Sequence, residues 1–250
     1  MALTLDAAPS HVPVRVTAHL RTGIGYDLPY GLDLAGILAS RMRAVARDLR
    51  HQDGAHVTSP LPDTTEEDPE DMDLPLARCI TAGADWHWAA SCAIPTAPDE
   101  DPEPRTFYRV VDSAWAHRAA DRPLPHVQPS SGPHRDMMMP APVLLCPSVQ
   151  WHAIGDPDRI EHLLRGILFL GRRRSVGEGR ILRWEIETLA TEPDGWSHIH
   201  AGEIVRPCPE DCAAALAVPY RLGWYALRPP SWHPDRLMAM AMTPEPEEAW

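Results

Sequence analysis

Two stretches hold the side chains best suited to chemistry. The first is "LGRRRSVGEGRILR", Leu170 to Arg183. Gly171, Gly177 and Gly179 stand in a G-x5-G-x-G pattern, with Arg172, Arg173, Arg174 and Ser175 inside it and Arg180 and Arg183 just beyond. Glycines let a backbone approach a ligand closely, and arginines grip phosphate with two parallel hydrogen bonds. A nucleoside-triphosphate P-loop needs lysine and then Ser or Thr after its second glycine, and this chain contains no lysine. A dinucleotide fingerprint must follow a strand and open a helix, whereas this stretch reads as running from helix to strand. On spacing alone it is equally a C-cap glycine, a tight turn and a solvated basic patch.

The second stretch is "WSHIHAGEIVRPCPEDC", which places His198, His200, Cys208 and Cys212 within fifteen residues. Zinc takes such ligands. H-x-H followed by C-x3-C is not a common zinc-site order, however, and cysteines beside an Ala-rich helix usually pack as small apolar groups. No metal or other cofactor is expected. Thirteen histidines also invite an acid–base reading. His19 and His134, the latter beside Arg135, are the candidates for such work, and neither forms a motif.

The elements that must carry these groups follow from periodicity. "VPVRVTAHLRT" alternates apolar and polar residues, a half-buried strand. A turn-rich loop, "GIGYDLPYG", follows, and its Tyr26 and Tyr30 are able to stack on bases or to pack on the core. The next segment spaces Leu34, Ile37, Leu38, Met42, Val45 and Leu49 along one helical face, with Arg43, Arg47 and Arg50 on another. That arginine stripe reads as a solvated face or as a second phosphate contact.

Residues 53–142 read as an insertion of short strands, at "WHWAASCAI" and "TFYRVVD", and long loops that include "HVQPSSGPHRDMMMPAP". Order returns with a strand in 143–155 whose start is disturbed by Pro147. Asp156 and Pro157 are N-cap and first-turn signals for a helix whose face is Ile160, Leu163, Leu164, Ile167 and Leu168, closed by Gly171. A last strand holds Leu182, Trp184 and Ile186 on one side. With one strand inside the insertion, the plan is α+β, a ferredoxin-like βαββαβ domain over 12–190. Residues 191–250 then read as an irregular extension with one short helix near "PEDCAAALAV".

The formal charge is −12, with 23 arginines against 35 acids. Seven of those acids lie in 63–73, four in 99–103 and three in the last six residues. Without them the arginines and acids nearly balance, so net charge says little about the local field elsewhere. Five scattered cysteines fit a reduced, cytoplasmic protein. No apolar run is long enough to span a membrane.

The loop decides between classes through a resemblance. The chain resembles the RAMP superfamily of CRISPR-associated proteins, whose ferredoxin-like domains carry a G-x5-G-x-G loop between second helix and fourth strand. It looks most like the five-prime-handle-binding subunit of type IV systems. The resemblance rests on "LDLAGILA", "SSGPHRDMMMPAPV", "WHAIGDPDRIEHLLRGILFLGRRRSVGEGRILRWEIE" and "RPPSWHPDRL". It implies a non-catalytic RNA-binding subunit that holds the 5′ end of a guide RNA and caps a filament of a repeated backbone RAMP subunit, beside a large subunit. By position it implies Gly171, Gly177 and Gly179 as the loop, Arg172, Arg173 and Arg174 as its phosphate contacts, and Arg180 and Arg183 as additions. Two alternatives stand beside it: a metal-independent guide-RNA endoribonuclease of the same superfamily, and a zinc-stabilised interaction protein without an RNA role.

Overall fold

The computed structural model describes residues 4–25, 30–52, 72–80, 86–98, 102–109, 136–191, 197–231 and 233–244. A short strand, β1 (Thr4–Asp6), precedes the strand expected from period-two spacing, β2 (Val12–Leu20). Val14, Val16, Ala18 and Leu20 are buried along one side of β2, while Arg15 and His19 occupy the other. Helix α1 (Leu34–Gln52) follows, and the Asp33 carboxylate accepts from the Ala35 N–H at its start. Leu34, Ala35, Leu38 and Ala39 are buried, but Val45 and Leu49 are exposed. The apolar stripe of the sequence is real, yet only the first half of the helix lies on the sheet.

The insertion supplies β3 (Arg78–Ile80), β4 (Trp86–Trp88), β5 (Ile94–Thr96) and β6 (Glu103–Arg109). β6 pairs antiparallel with β7 (Met137–Val143), part of a segment expected to be loop, although its Pro140 and Pro142 lack N–H donors. A two-stranded ribbon has only edge strands, and edges tolerate proline. The acidic stretches lie almost wholly outside the described residues, as do Arg135 and the histidine at 134.

β8 (Ser148–Gly155) leads directly into α2 (Pro157–Leu164). As the sequence predicts, Asp156 caps α2, accepting from Asp158 N and Arg159 N at 3.1 Å each. The helix ends at Leu164, one turn earlier than its apolar spacing suggests, and Leu168 is exposed. The freed residues pair instead with the chain that enters the next strand. Phe169 bridges Arg180, Leu170 N donates to Gly179 O, and Ile181 N donates to Leu168 O. That next strand is β9 (Ile181–Thr188).

β5, β8, β2 and β9 form one antiparallel sheet in that order. Numbered by appearance within the sheet, the order is 2-3-1-4, with α1 after the first strand and α2 after the third. Trp151 and Ile186 flank Val16 in register. Together with Leu34, Leu38, Ile160 and Leu164 they belong to the main core, in which each fully buried Leu or Ile is worth about 1.5–3 kcal/mol. The indole N–H of Trp151 donates to Leu32 O and that of Trp184 to Ile167 O, so neither ring buries an unsatisfied donor.

The extension is less irregular than expected. It contains the β10 (Ile199–His200) and β11 (Glu203–Ile204) pair, the anticipated short helix α3 (Glu210–Leu216), and a hairpin of β12 (Arg221–Ala226) and β13 (Leu237–Met242). It is pinned to the start of α1 by Arg206, which is 1% exposed. That guanidinium donates to Asp33 Oδ1 at 2.5 Å and to the carbonyls of Ala90 and Leu227. Around α3 lies a second, small core of Cys79, Ile204, Cys208, Cys212, Ala213 and Ala241. The class is α+β, with antiparallel sheets and few helices. No helix among the described residues is long and apolar enough to cross a membrane.

Candidate functional site

The glycine loop is shaped by backbone contacts to residues 22–25, the approach to the tyrosine loop. Arg172 N donates to Gly25 O at 2.6 Å and Gly179 N to Gly23 O at 2.7 Å. The Thr22 hydroxyl donates to Gly177 O and accepts from Arg180 N. Gly171, Gly177 and Gly179 all have positive φ, at 75°, 95° and 67°. A Cβ on Gly179 would run into the Leu170 carbonyl, and one on Gly171 into the Gly25 carbonyl. Gly177 faces open space, so only its φ asks for glycine. Gly171 is thus a close-approach glycine inside the loop, not the helix cap the sequence suggested, because α2 has already ended.

The three consecutive arginines do not share one environment. Arg172 and Arg174 are exposed, with Arg174 starting a single 3-10 turn, Arg174–Val176. Arg173 takes the left-handed conformation (φ 61°) and lays its guanidinium over the Phe107 ring of β6, 5.1 Å from the centroid. Ser175 and Arg180 are exposed. Arg183, on β9, faces the open side of the sheet and donates to Glu185 at 3.2 Å. Tyr26 lies outside the described residues. Arg43 and Arg47 are exposed on α1 and are not among the residues that line the groove described next.

That groove, of about 900 Å³, runs from the loop between α1 and the end of β12. Arg41, Arg174, Arg228, Tyr30 and Tyr225 line it together with residues 166–171. Sequence reasoning missed Arg41 and Arg228, which carry no local pattern. Arg41 reaches across to Gly166, where any Cβ would collide with its guanidinium, and its Nε has no hydrogen-bond partner among the described residues. Arg228 stacks on Trp86 at 4.2 Å and donates to the Trp86 carbonyl. The acid inside the loop, Glu178, is buried and bonded to Arg105 of β6 at 2.7 Å. Its charge is therefore compensated from the β6–β7 ribbon, leaving the arginines to set the local field.

The open face of the sheet is polar and mixed in sign. Arg15 pairs with Glu187, and His19 with Glu185 at 2.7 Å. The His19 bond, and then Arg183, hold the Glu185 carboxyl below the usual range. Such exposed pairs add little stability, and the pairing leaves His19 engaged.

The second chemical stretch is divided between two surroundings. His198 and Cys212 meet Cys79 of β3 and His87 of β4, all four buried, with their ligand atoms within 4.8 Å of one another. His200 sits elsewhere, its ring 5.3 Å from that of His152, and Cys208 lies beside the cluster in the small core. Burial, followed by the neighbouring His198, pushes His87 down to about 4. Hydrogen bonding from Cys212 lowers the Cys79 thiol, while bonds to Cys208 and Cys79 raise that of Cys212. Nothing in C-x7-H marks Cys79 and His87 as partners of residues more than a hundred positions away.

A search of the curated proteins found no match. The family model described as CRISPR type IV associated protein Csf3 matches residues 12–243, nearly the whole chain, and the chain therefore belongs to that type IV CRISPR-associated family.

Proposed function

We propose that this chain is a non-catalytic RNA-binding subunit of a type IV CRISPR ribonucleoprotein, holding the 5′ end of a guide RNA and capping the backbone filament. The observation that carries the reading is the glycine loop with its flanking groove. Three left-handed glycines keep the backbone thin, and exposed Arg172, Arg174 and Arg180 line its outside. Arg41 and Arg228 extend that basic character along the groove. Arginine forks suit the phosphates of a single strand, and Tyr30 and Tyr225 border the same space. The 2-3-1-4 strand order with helices after the first and third strands supports a ferredoxin-like, RAMP-type plan. The sheet face away from the helices carries Arg15, His19, Glu185 and Glu187 rather than the stacked aromatics of a sheet-binding RNA module, which favours the loop as the RNA contact. Further partners on this reading are a repeated backbone subunit and a large subunit, in the cytoplasm.

The test is co-purification of the assembled complex with Arg172, Arg173 and Arg174 changed together to glutamate. RNA recovery per complex should fall at least tenfold while the other subunits still assemble. Wild-type RNA yield in an intact complex would sink the loop assignment. Incubating the isolated subunit with repeat RNA addresses the endoribonuclease alternative, since cleavage at a defined position that His19→Ala abolishes would replace the non-catalytic reading.

A further inference from the structure

We propose that Cys79, His87, His198 and Cys212 bind one zinc ion as a closed structural site. The two sulfurs lie 4.0 Å apart and the two imidazole Nε2 atoms 2.8 Å apart. A tetrahedral zinc with Zn–S of about 2.3 Å and Zn–N of about 2.0–2.1 Å sets those edges at about 3.8 Å and 3.4 Å. Small side-chain shifts convert one arrangement to the other. The donor set also selects the metal. Two thiolates and two imidazoles suit zinc, whereas magnesium, calcium and manganese prefer oxygen ligands. Four protein ligands leave no open position, so the site is structural rather than hydrolytic.

The rings themselves argue for an ion. His87 and His198 aim Nε2 at Nε2, with ring centroids 4.5 Å apart. Without a metal, one Nε2 must keep its proton and the pair makes a single bond inside an apolar pocket. With zinc, both Nε2 lone pairs coordinate, and the one proton held between them moves to Nδ1, where the other ring already carries its own. The two thiols lose their protons to solvent, and two thiolates neutralise the dication, so no net charge is buried.

The place of the cluster gives it a job. Its ligands come from the β3–β4 hairpin, from the residue preceding β10, and from α3. The core these pieces share consists of cysteines and alanines, with Ile204 its one large buried aliphatic. Little apolar area is hidden there, which is the situation in which small folds use a metal as the cross-link.

The experiment is elemental analysis of the full-length chain, expressed with zinc in the medium and purified without chelator. About one zinc per chain is expected, as a closed tetrahedral site binds one ion. Cobalt exchanged into the wild type should give the visible bands of a tetrahedral ion and a thiolate-to-cobalt charge-transfer band. Cys79→Ser combined with Cys212→Ser should lose the metal, and His200→Ala should retain it. Wild-type chain with only trace zinc and no cobalt spectrum overturns the proposal even if the double variant fails to fold. So does full zinc retention in a folded double variant, or a Cys79–Cys212 disulfide in the mass of the unreduced wild type.

Discussion

The glycine-arginine loop and the Cys/His cluster differ in how each is assembled. The loop is continuous over 171–180, largely exposed, and shaped by backbone bonds to residues 22–25. The cluster is discontinuous, with Cys79 and Cys212 separated by 133 positions, and every member is buried. In the loop, backbone conformation does the work, and Arg172, Arg174 and Arg180 extend from it into solvent. In the cluster, side chains do the work and are available only to one another. A substitution in the extension should therefore register as lost stability, and substitution of an exposed loop arginine such as Arg174 as lost RNA with stability almost unchanged.

The largest test is Asp33→Ala, which strips the buried Arg206 of its carboxylate partner. Breaking such a pair typically costs about 3–5 kcal/mol, read as a lower urea midpoint. Adding Arg206→Met should recover part of that loss, because an apolar side chain leaves no buried charge uncompensated. A loss below about 0.5 kcal/mol for Asp33→Ala would mean that the extension docks by other means.

Next come two glycines with the same φ sign and different surroundings. Gly179→Ala meets both the left-handed penalty and the Leu170 carbonyl, and should cost about 2–4 kcal/mol. Gly177→Ala meets the conformational penalty alone, about 1–2 kcal/mol. Equal losses would show that the loop rearranges freely rather than being held by its backbone bonds to residues 22–25.

Smaller again is Asp156→Ala, at about 1 kcal/mol in denaturant. The Arg159 N–H holds the Asp156 carboxyl below its ordinary value. A depressed folded pKa means that the contribution is complete above the unfolded pKa and is lost as pH falls through the folded one. Wild type and variant should therefore converge in acid, below the ordinary aspartate value of about 3.9. A gap that stays constant down to full protonation would deny the cap its charge.

The smallest effects belong to single arginines. Arg174→Ala should lower the salt dependence of RNA binding by about one phosphate, or about 0.7 in the logarithmic slope for a single strand. Arg173→Ala should act mainly through its lost stacking on Phe107. If Arg173 changed the slope as much as Arg174, the two environments assigned to them would be functionally the same.

What the sequence disclosed divides along the same line. Local, periodic features were legible. The alternation of β2, the Asp156–Pro157 start of α2 and the Trp184–Ile186 side of β9 each follow from neighbours a few residues apart. Features settled by distant partners were not. Leu168 fits the helical period, yet backbone pairing with the chain entering β9 outcompetes another helical turn. Pro140 and Pro142 argue against a strand until the partner turns out to be a lone ribbon. His198 and Cys212 were singled out, but Cys79 and His87 reach them only once the insertion has folded back. Arg41 and Arg228 carry no pattern, because a groove exists only between elements.

The bond between Arg206 and Asp33 spans 173 positions of chain. At a synthesis rate of about 5–20 residues per second, Asp33 is made roughly 9–35 s before its partner. During that interval the carboxylate is free to cap α1 through Ala35, so the helix can start without the extension. Arg206 comes later, toward a carboxylate and an Ala90 carbonyl that are already made, and its last acceptor, the Leu227 carbonyl, follows 21 positions behind it. The nascent chain is thus asymmetric in its hazards, since an early stop leaves a serviceable helix cap, whereas a misfolded first half leaves a late guanidinium with nowhere to bury its charge.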